Sequence, residues 1–138
     1  MTKSEILEFL NKNPMINLAT SEGGKPHVRG MLLYRADDKG ILFHTGRGKD
    51  LHKQLESNPW VEICSFSKAE NKQVRVSGKA EPVEDESLKK EIVENRPFMK
   101  PWVEKDGLGL LAVWCVTHGK ACVWTMESNF APKAFVDL

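Results

Sequence analysis

The sequence predicts a mainly β fold of the α+β class, an antiparallel β-barrel with short flanking helices. Three features carry that expectation. Compact β-compatible runs recur through the chain, bounded by Gly, Pro, Asn and Asp clusters. Helical spacings fall in a few short segments, so about seven strands are expected without the regular alternation of a parallel sheet. The run Gln73 to Val83 sets Val74, Val76 and Gly78 on one face and Arg75, Ser77 and Lys79 on the other, as a strand wet on one side requires.

Thr2 and Glu5 have capping-box spacing, and Ile6, Leu7, Phe9 and Leu10 form an apolar stripe that stops at Asn13-Pro14. That pattern predicts a short N-terminal helix. Met15 to Thr20 and Val28 to Tyr34 are strand-like on either side of a turn carrying Gly23-Gly24, and Asp37 to Gly40 turns the chain again. Ile41 to Thr45 is the next strand. Gly46 and Gly48 end it, and Leu51 and Leu55 then mark a helix of about ten residues that stops by Asn58-Pro59. Trp60 to Phe66 and Gln73 to Val83 flank the polar turn Lys68 to Lys72. Glu84 to Asn95 carries Leu88, Ile92 and Val93 at helical spacing, and Pro97 and Pro101 are expected to break the chain into a loop holding Phe98 and Trp102. Leu110 to Thr117 and Lys120 to Met126 read as a last hairpin turning at His118-Gly119, and the residues after Ser128 look weakly specified.

A chain of 138 residues suits one domain with a single core, taken here as residues 1–138. Lys and Arg number 20 against 19 Asp and Glu, a net charge of +1, so no global field draws the protein to nucleic acid or to an anionic membrane. Any anion site must be local. The polar start, Met1 to Glu5, runs into an amphipathic segment and not into a signal peptide or membrane span, which predicts a cytoplasmic protein. Cys64, Cys115 and Cys122 are odd in number and form no C-x-x-C pair, as expected in a reducing compartment. In the hairpin register Cys115 and Cys122 would be opposite each other at a hydrogen-bonded pair, whose wide α-carbon spacing predicts two free thiols. His27, His44, His52 and His118 lack ligand spacing, so no metal site is expected.

The most chemically loaded stretch is Phe43 to Lys53. A strand delivers the Thr45 hydroxyl, Gly46 and Gly48 let backbone N–H groups approach an anion, and a helix then begins with its unpaired donors facing outward. Arg47, Lys49 and Lys53 lie close enough in sequence to neutralise a phosphate. Arg29, on a neighbouring strand, can hold a phosphate through paired hydrogen bonds. The same features also describe a solvated basic turn and an exposed strand arginine.

Four segments give these residues a context: Pro26-His27-Val28-Arg29-Gly30-Met31-Leu32-Leu33, Asp38 to Thr45, Leu55 to Ile63 with its Asn58-Pro59, and Gln73-Val74-Arg75-Val76-Ser77-Gly78-Lys79-Ala80-Glu81. Their order and spacing resemble the pyridoxamine 5′-phosphate oxidase-like family of FMN-binding split β-barrels. The resemblance implies an antiparallel split β-barrel that forms a homodimer with FMN at the subunit interface. It implies that Arg29 and Thr45 hold the phosphate, that Gly30, Met31 and Leu32 lie along the isoalloxazine ring, and that Gln73 reaches the flavin from the side. The family's phosphate lysine falls where this chain has Leu51, so Lys49 or Lys53 takes that role, and Lys49 is favoured because it lies in the glycine turn. The C-terminal arginine-rich motif by which true oxidases hold their substrate has no counterpart, so the resemblance does not extend to oxidation of pyridoxamine phosphate.

The function expected on these grounds is that of a flavoprotein oxidoreductase: the flavin reduces a small electron acceptor, with nicotinamide as a candidate donor. No side chain is assigned as a catalytic acid or base. The alternatives are a flavin-binding sensor or carrier without turnover, haem or a deazaflavin on the same fold, and a barrel with no cofactor.

Overall fold

A computed structural model describes all 138 residues. The first helix, α1 (Lys3–Lys12), begins at the predicted capping box: the Thr2 hydroxyl accepts from Glu5 N–H, and the Glu5 carboxylate accepts from Thr2 N–H. Its stripe of Ile6, Leu7, Phe9 and Leu10 is buried. Asn11 then fixes the helix to the sheet, since its side chain exchanges two hydrogen bonds with the Ala36 backbone at 2.7 and 2.9 Å.

Nine strands follow, all paired antiparallel: β1 (Met15–Glu22), β2 (Lys25–Leu32), β3 (Arg35–Asp37), β4 (Gly40–Gly46), β5 (Trp60–Ser67), β6 (Lys72–Val83), β7 (Leu111–Val116), β8 (Lys120–Thr125) and β9 (Phe135–Asp137). Gly23 and Gly24 close the β1–β2 hairpin with φ of 56° and 78°, a left-handed pair that glycine adopts without steric cost. The sheet runs β2-β1-β5-β6-β7-β4-β3, with β8 added beside β6 and β9 beside β8. Strand β6 is shared by two half-sheets. Its first half, Lys72 to Ser77, pairs with β8, and its second half, Ala80 to Val83, pairs with β7. The result is a split barrel, open between β2 and β3. Its main core contains Ile16, Leu18, Phe43, Ile63, Val74, Val76 and Trp114.

Strands β7 and β8 are not a hairpin. They lie end to end along one edge of β6, and His118-Gly119 carries the chain past Gly78 instead of reversing it. A Cβ on Gly78 would sit 2.6 Å from Val116 Cγ1, and one on Gly119 would sit 2.6 Å from Val76 Cγ1, so both glycines permit the close crossing. Every residue of β7 is buried, and a strand covered on both faces needs neighbours on both edges, here β4 and β6. Cys115 therefore stands opposite Leu42 and Glu81, while Cys122 stands opposite Arg75 and Phe135. The two do not face each other, and all three thiols are free.

Three further expectations are corrected. The Phe98–Trp102 segment is helical, not a loop: a 3₁₀ turn at Pro97–Met99 leads into α4 (Lys100–Asp106), and each proline lies at the start of its element, where its missing N–H is harmless. The residues after Ser128 include β9, which pairs with β8. The predicted strand to Tyr34 stops at Leu32, and β3 restarts at Arg35 as a separate short strand. Helices α2 (Asp50–Ser57) and α3 (Glu86–Asn95) fall where the spacing puts them. A second small core of Leu42, Ile92, Val93, Met99, Leu111, Val113 and Cys115 forms between α3 and the outer side of β4 and β7. No helix is long and apolar enough to cross a membrane.

Candidate functional site

The loaded stretch folds as the sequence requires of it. Strand β4 alternates Ile41, Phe43 and Thr45 toward the main core, and Thr45 is buried at its end. The turn that follows is held from both sides: Arg47 N–H donates to Leu110 O at 2.9 Å, and Lys49 N–H donates to Gly46 O at 3.0 Å. Helix α2 then begins with Lys49 as its N-cap residue, and no side chain caps its first-turn amides. Asp50 occupies the first turn and already places one negative charge against the dipole.

The three cations of this stretch are not equivalent. The Arg47 guanidinium is 2.9 Å from Glu84 Oε1, and the other oxygen of Glu84 takes Lys89 Nζ at 3.4 Å. That pair of ion pairs draws the Glu84 carboxyl below its usual range, first through the Arg47 hydrogen bond. Arg47 is thus tied outward to the segment before α3. Lys49 and Lys53 are exposed and belong to none of the ion pairs of the chain. The Lys49 stem packs over Gly46, where an added Cβ would meet its Cγ at 3.5 Å.

Arg29 reaches the other flank of α2. On β2 it stands opposite Leu18, on the core side of the sheet, and its guanidinium donates to Leu18 O at 3.3 Å, to Thr20 Oγ1 at 2.9 Å and to Gln54 Oε1 on α2. Burial lowers the Arg29 pKa, an effect that the charge of Asp50 opposes. A guanidinium remains cationic under these conditions. Thr20 and Gln54 are 4% and 6% exposed, and neither was singled out from the sequence. A lone glutamine in an amphipathic helix carries no local signal of what it will meet.

The remaining candidates lie elsewhere. Met31 shares the core side of β2 with Arg29, whereas Gly30 and Leu32 alternate to the opposite face. Gln73 is also on that outer face, between Phe66 of β5 and Trp124 of β8. The same face exposes Met15, Val28, Leu32, Trp60 and Phe66, each between 38% and 70% accessible, an apolar surface unusual in a sheet left to water. One chain therefore gathers Arg29, Thr45 and Lys49 around α2 and leaves Gly30, Leu32 and Gln73 on a separate face.

Two other features border the site. A cavity of about 510 Å³ opens on the far side of α2 from Gln54, lined among others by Arg47, His52, Glu56, Glu84 and Trp114. There Trp114 Nε1–H donates to His52 Nδ1 at 3.3 Å, which leaves His52 Nε2 toward Glu56 at 3.4 Å. Next to Thr45, the His44 ring faces the second core and accepts from Arg96 Nη1 at 2.5 Å, while Arg96 Nη2 donates to Leu33 O at 2.9 Å. Burial, aided by the Arg96 charge, drives the His44 pKa from 6.5 to about 4. No group of three or more His, Cys, Asp or Glu side chains is placed to hold a metal ion.

Fold and site together define a small antiparallel split barrel with an anion-competent strand, turn and helix junction. Residues 2–121 match the sequence profile of the pyridoxamine 5′-phosphate oxidase family, and the chain belongs to that family. A pyridoxine/pyridoxamine 5′-phosphate oxidase of Pseudomonas putida is 39% identical over 69 residues, which are 49% of this chain and 32% of that enzyme. The chain thus spans well under half the length of the curated relatives it matches, 31% to 43% among several of them. Among solved structures, a NimC/NimA family protein from Clostridium acetobutylicum superposes with a TM-score of 0.80 at 25% identity, covering 98% of this chain and 92% of that one. An FAD-binding protein from Mesorhizobium loti shares the fold, with a TM-score of 0.65 at 16% identity over 89% of this chain and 94% of that one.

Proposed function

We propose that this protein is an FMN-binding oxidoreductase that reduces a small electron acceptor. The observation that carries the reading is the junction at α2: a buried threonine, an uncapped helix N-terminus and an unpaired lysine lie on one side, and Arg29 on the other. These donors suit a phosphate dianion, which the helix end and the cations would hold together. Thr45, Lys49 and Arg29 hold the phosphate in this reading, with Lys53 as the further cation and Arg47 withheld by Glu84. Bound FMN supplies the two-electron chemistry, with a nicotinamide as the donor. Family membership supports a flavin.

The exposed apolar face supports the homodimer. A second copy docked on that face would cover Met15, Val28, Leu32, Trp60 and Phe66 and bring Gly30, Leu32 and Gln73 to the ring, which otherwise lie apart from the phosphate donors. Purified protein loaded with FMN and freed of excess should keep a flavin band in its visible spectrum, and Lys49→Ala combined with Arg29→Ala should lose it. A folded wild type that keeps no flavin refutes the cofactor. Sedimentation of the loaded protein as a monomer at micromolar concentration refutes the shared site. Oxidation of NADH or NADPH with a panel of acceptors separates an enzyme from a flavin carrier.

A further inference from the structure

The contacts of Arg29 define which of its donors are free. Arginine has five N–H donors and no acceptor, so the Gln54 atom that faces it must be the amide oxygen. That oxygen takes two hydrogen bonds, one from Arg29 Nη2 and one from the Thr20 hydroxyl at 2.7 Å. The single hydroxyl hydrogen of Thr20 is engaged there, so Thr20 meets Arg29 Nη1 as an acceptor, at 2.9 Å. The second Nη1 hydrogen goes to Leu18 O at 3.3 Å. Three donors are thereby fixed inside the protein. The two that remain are Nε–H and one N–H of Nη2, which lie side by side on one edge of the guanidinium and form the fork that binds oxyanions in bidentate fashion.

We infer that Thr20 and Gln54 are positioning residues that lock the Arg29 guanidinium so that this free edge serves the flavin phosphate. The inference rests on the FMN reading above. Both residues are almost wholly buried, and each sits on an element that packs against the other, Thr20 on β1 and Gln54 on α2. Their interaction is closed on itself: each role follows from the donor inventory, and no alternative assignment of the amide satisfies Arg29. Gln54 also takes the only hydrogen bond from Arg29 to the helix whose N-terminus offers the other phosphate donors. An arginine held this way binds without first losing the rotational freedom of a long side chain. A sequence with Arg29 alone would show the charge but not the orientation.

The test compares FMN with riboflavin, which has the same ring and no phosphate, by equilibrium dialysis on wild type, Gln54→Met, Thr20→Val and Thr20→Ser. The two variants that remove the clamp should bind FMN about tenfold more weakly with riboflavin affinity unchanged, and Thr20→Ser, which keeps the hydroxyl, should match wild type. In an Arg29→Ala background, Gln54→Met should have no further effect on FMN, because its action passes through the guanidinium. Circular dichroism and urea midpoints identify variants that fail to fold, and either clamp variant suffices. Equal losses of FMN and riboflavin, unchanged FMN affinity, or the same loss of FMN in the Arg29→Ala background would each overturn the inference. A wild type that binds neither flavin instead overturns the cofactor reading and this inference with it.

Discussion

Replacing His44 with glutamine should flatten the acid side of the stability curve. The His44 ring is neutral because it is buried and accepts a hydrogen bond from Arg96, and its pKa falls from 6.5 to about 4. The unfolded chain binds the proton first, so the full stability is present above pH 6.5 and is lost as the pH falls from there toward 4. A displacement of that size corresponds to about 3 kcal/mol in all, of which about 2 kcal/mol is gone by pH 5. Glutamine keeps an oxygen to accept from Arg96 and has no proton to gain. Carboxylates titrate in both proteins and cancel in the comparison. Urea denaturation of wild type and His44→Gln at pH 7.5, 6 and 5 reads the difference directly. The midpoint of wild type should fall by about 1 M more than that of the variant between pH 7.5 and 5. Parallel profiles would refute the argument that His44 is held neutral by its surroundings.

Gly78→Ala should destabilise by about 1–3 kcal/mol in thermal or urea unfolding, because its Cβ would meet Val116 Cγ1 at 2.6 Å where β6 crosses from one half-sheet to the other. Thr2→Ala should lower stability by about 1 kcal/mol, the usual worth of an N-cap side chain, as a shift in the urea midpoint. Arg47→Ala should change FMN affinity less than about threefold in fluorescence titration, while Lys49→Ala weakens it by about tenfold, because only Arg47 is already paired with a carboxylate. Asp50→Asn should tighten FMN binding about two- to fivefold at low salt by removing a negative charge from the first turn of α2.

The parts of the fold that were legible in the sequence are those decided locally. The Thr2–Glu5 box, the Gly23-Gly24 turn and the alternation of Gln73 to Val83 each state their own structure within a few residues. The β7–β8 arrangement is decided by distant partners. His118-Gly119 has the length of a hairpin turn, but β6 is long enough to receive both strands on one edge, and a fully apolar β7 needs two neighbours. Pro97 and Pro101 looked like breaks because a proline ends a helix from within and begins one from its first turn, and spacing alone does not distinguish the two. Strand β9 is three residues long, too short for any period to show. At the site, Thr45 and the glycine turn were readable from their order, and the Glu84 pairing of Arg47 and the Gln54 hold on Arg29 were not, since both join residues far apart in sequence.

Strand β6 has one more consequence, for how the chain acquires its shape. Its two halves wait for segments that are made much later, residues 113–116 for one and 120–125 for the other. Until those arrive, β5 and β6 form a ribbon with one edge unpaired, and neither half-sheet can close. Pairings between residues so far apart in sequence must first meet the entropy of closing a long loop, which slows folding. A nascent chain that stops before residue 111 would therefore display an open edge to other chains.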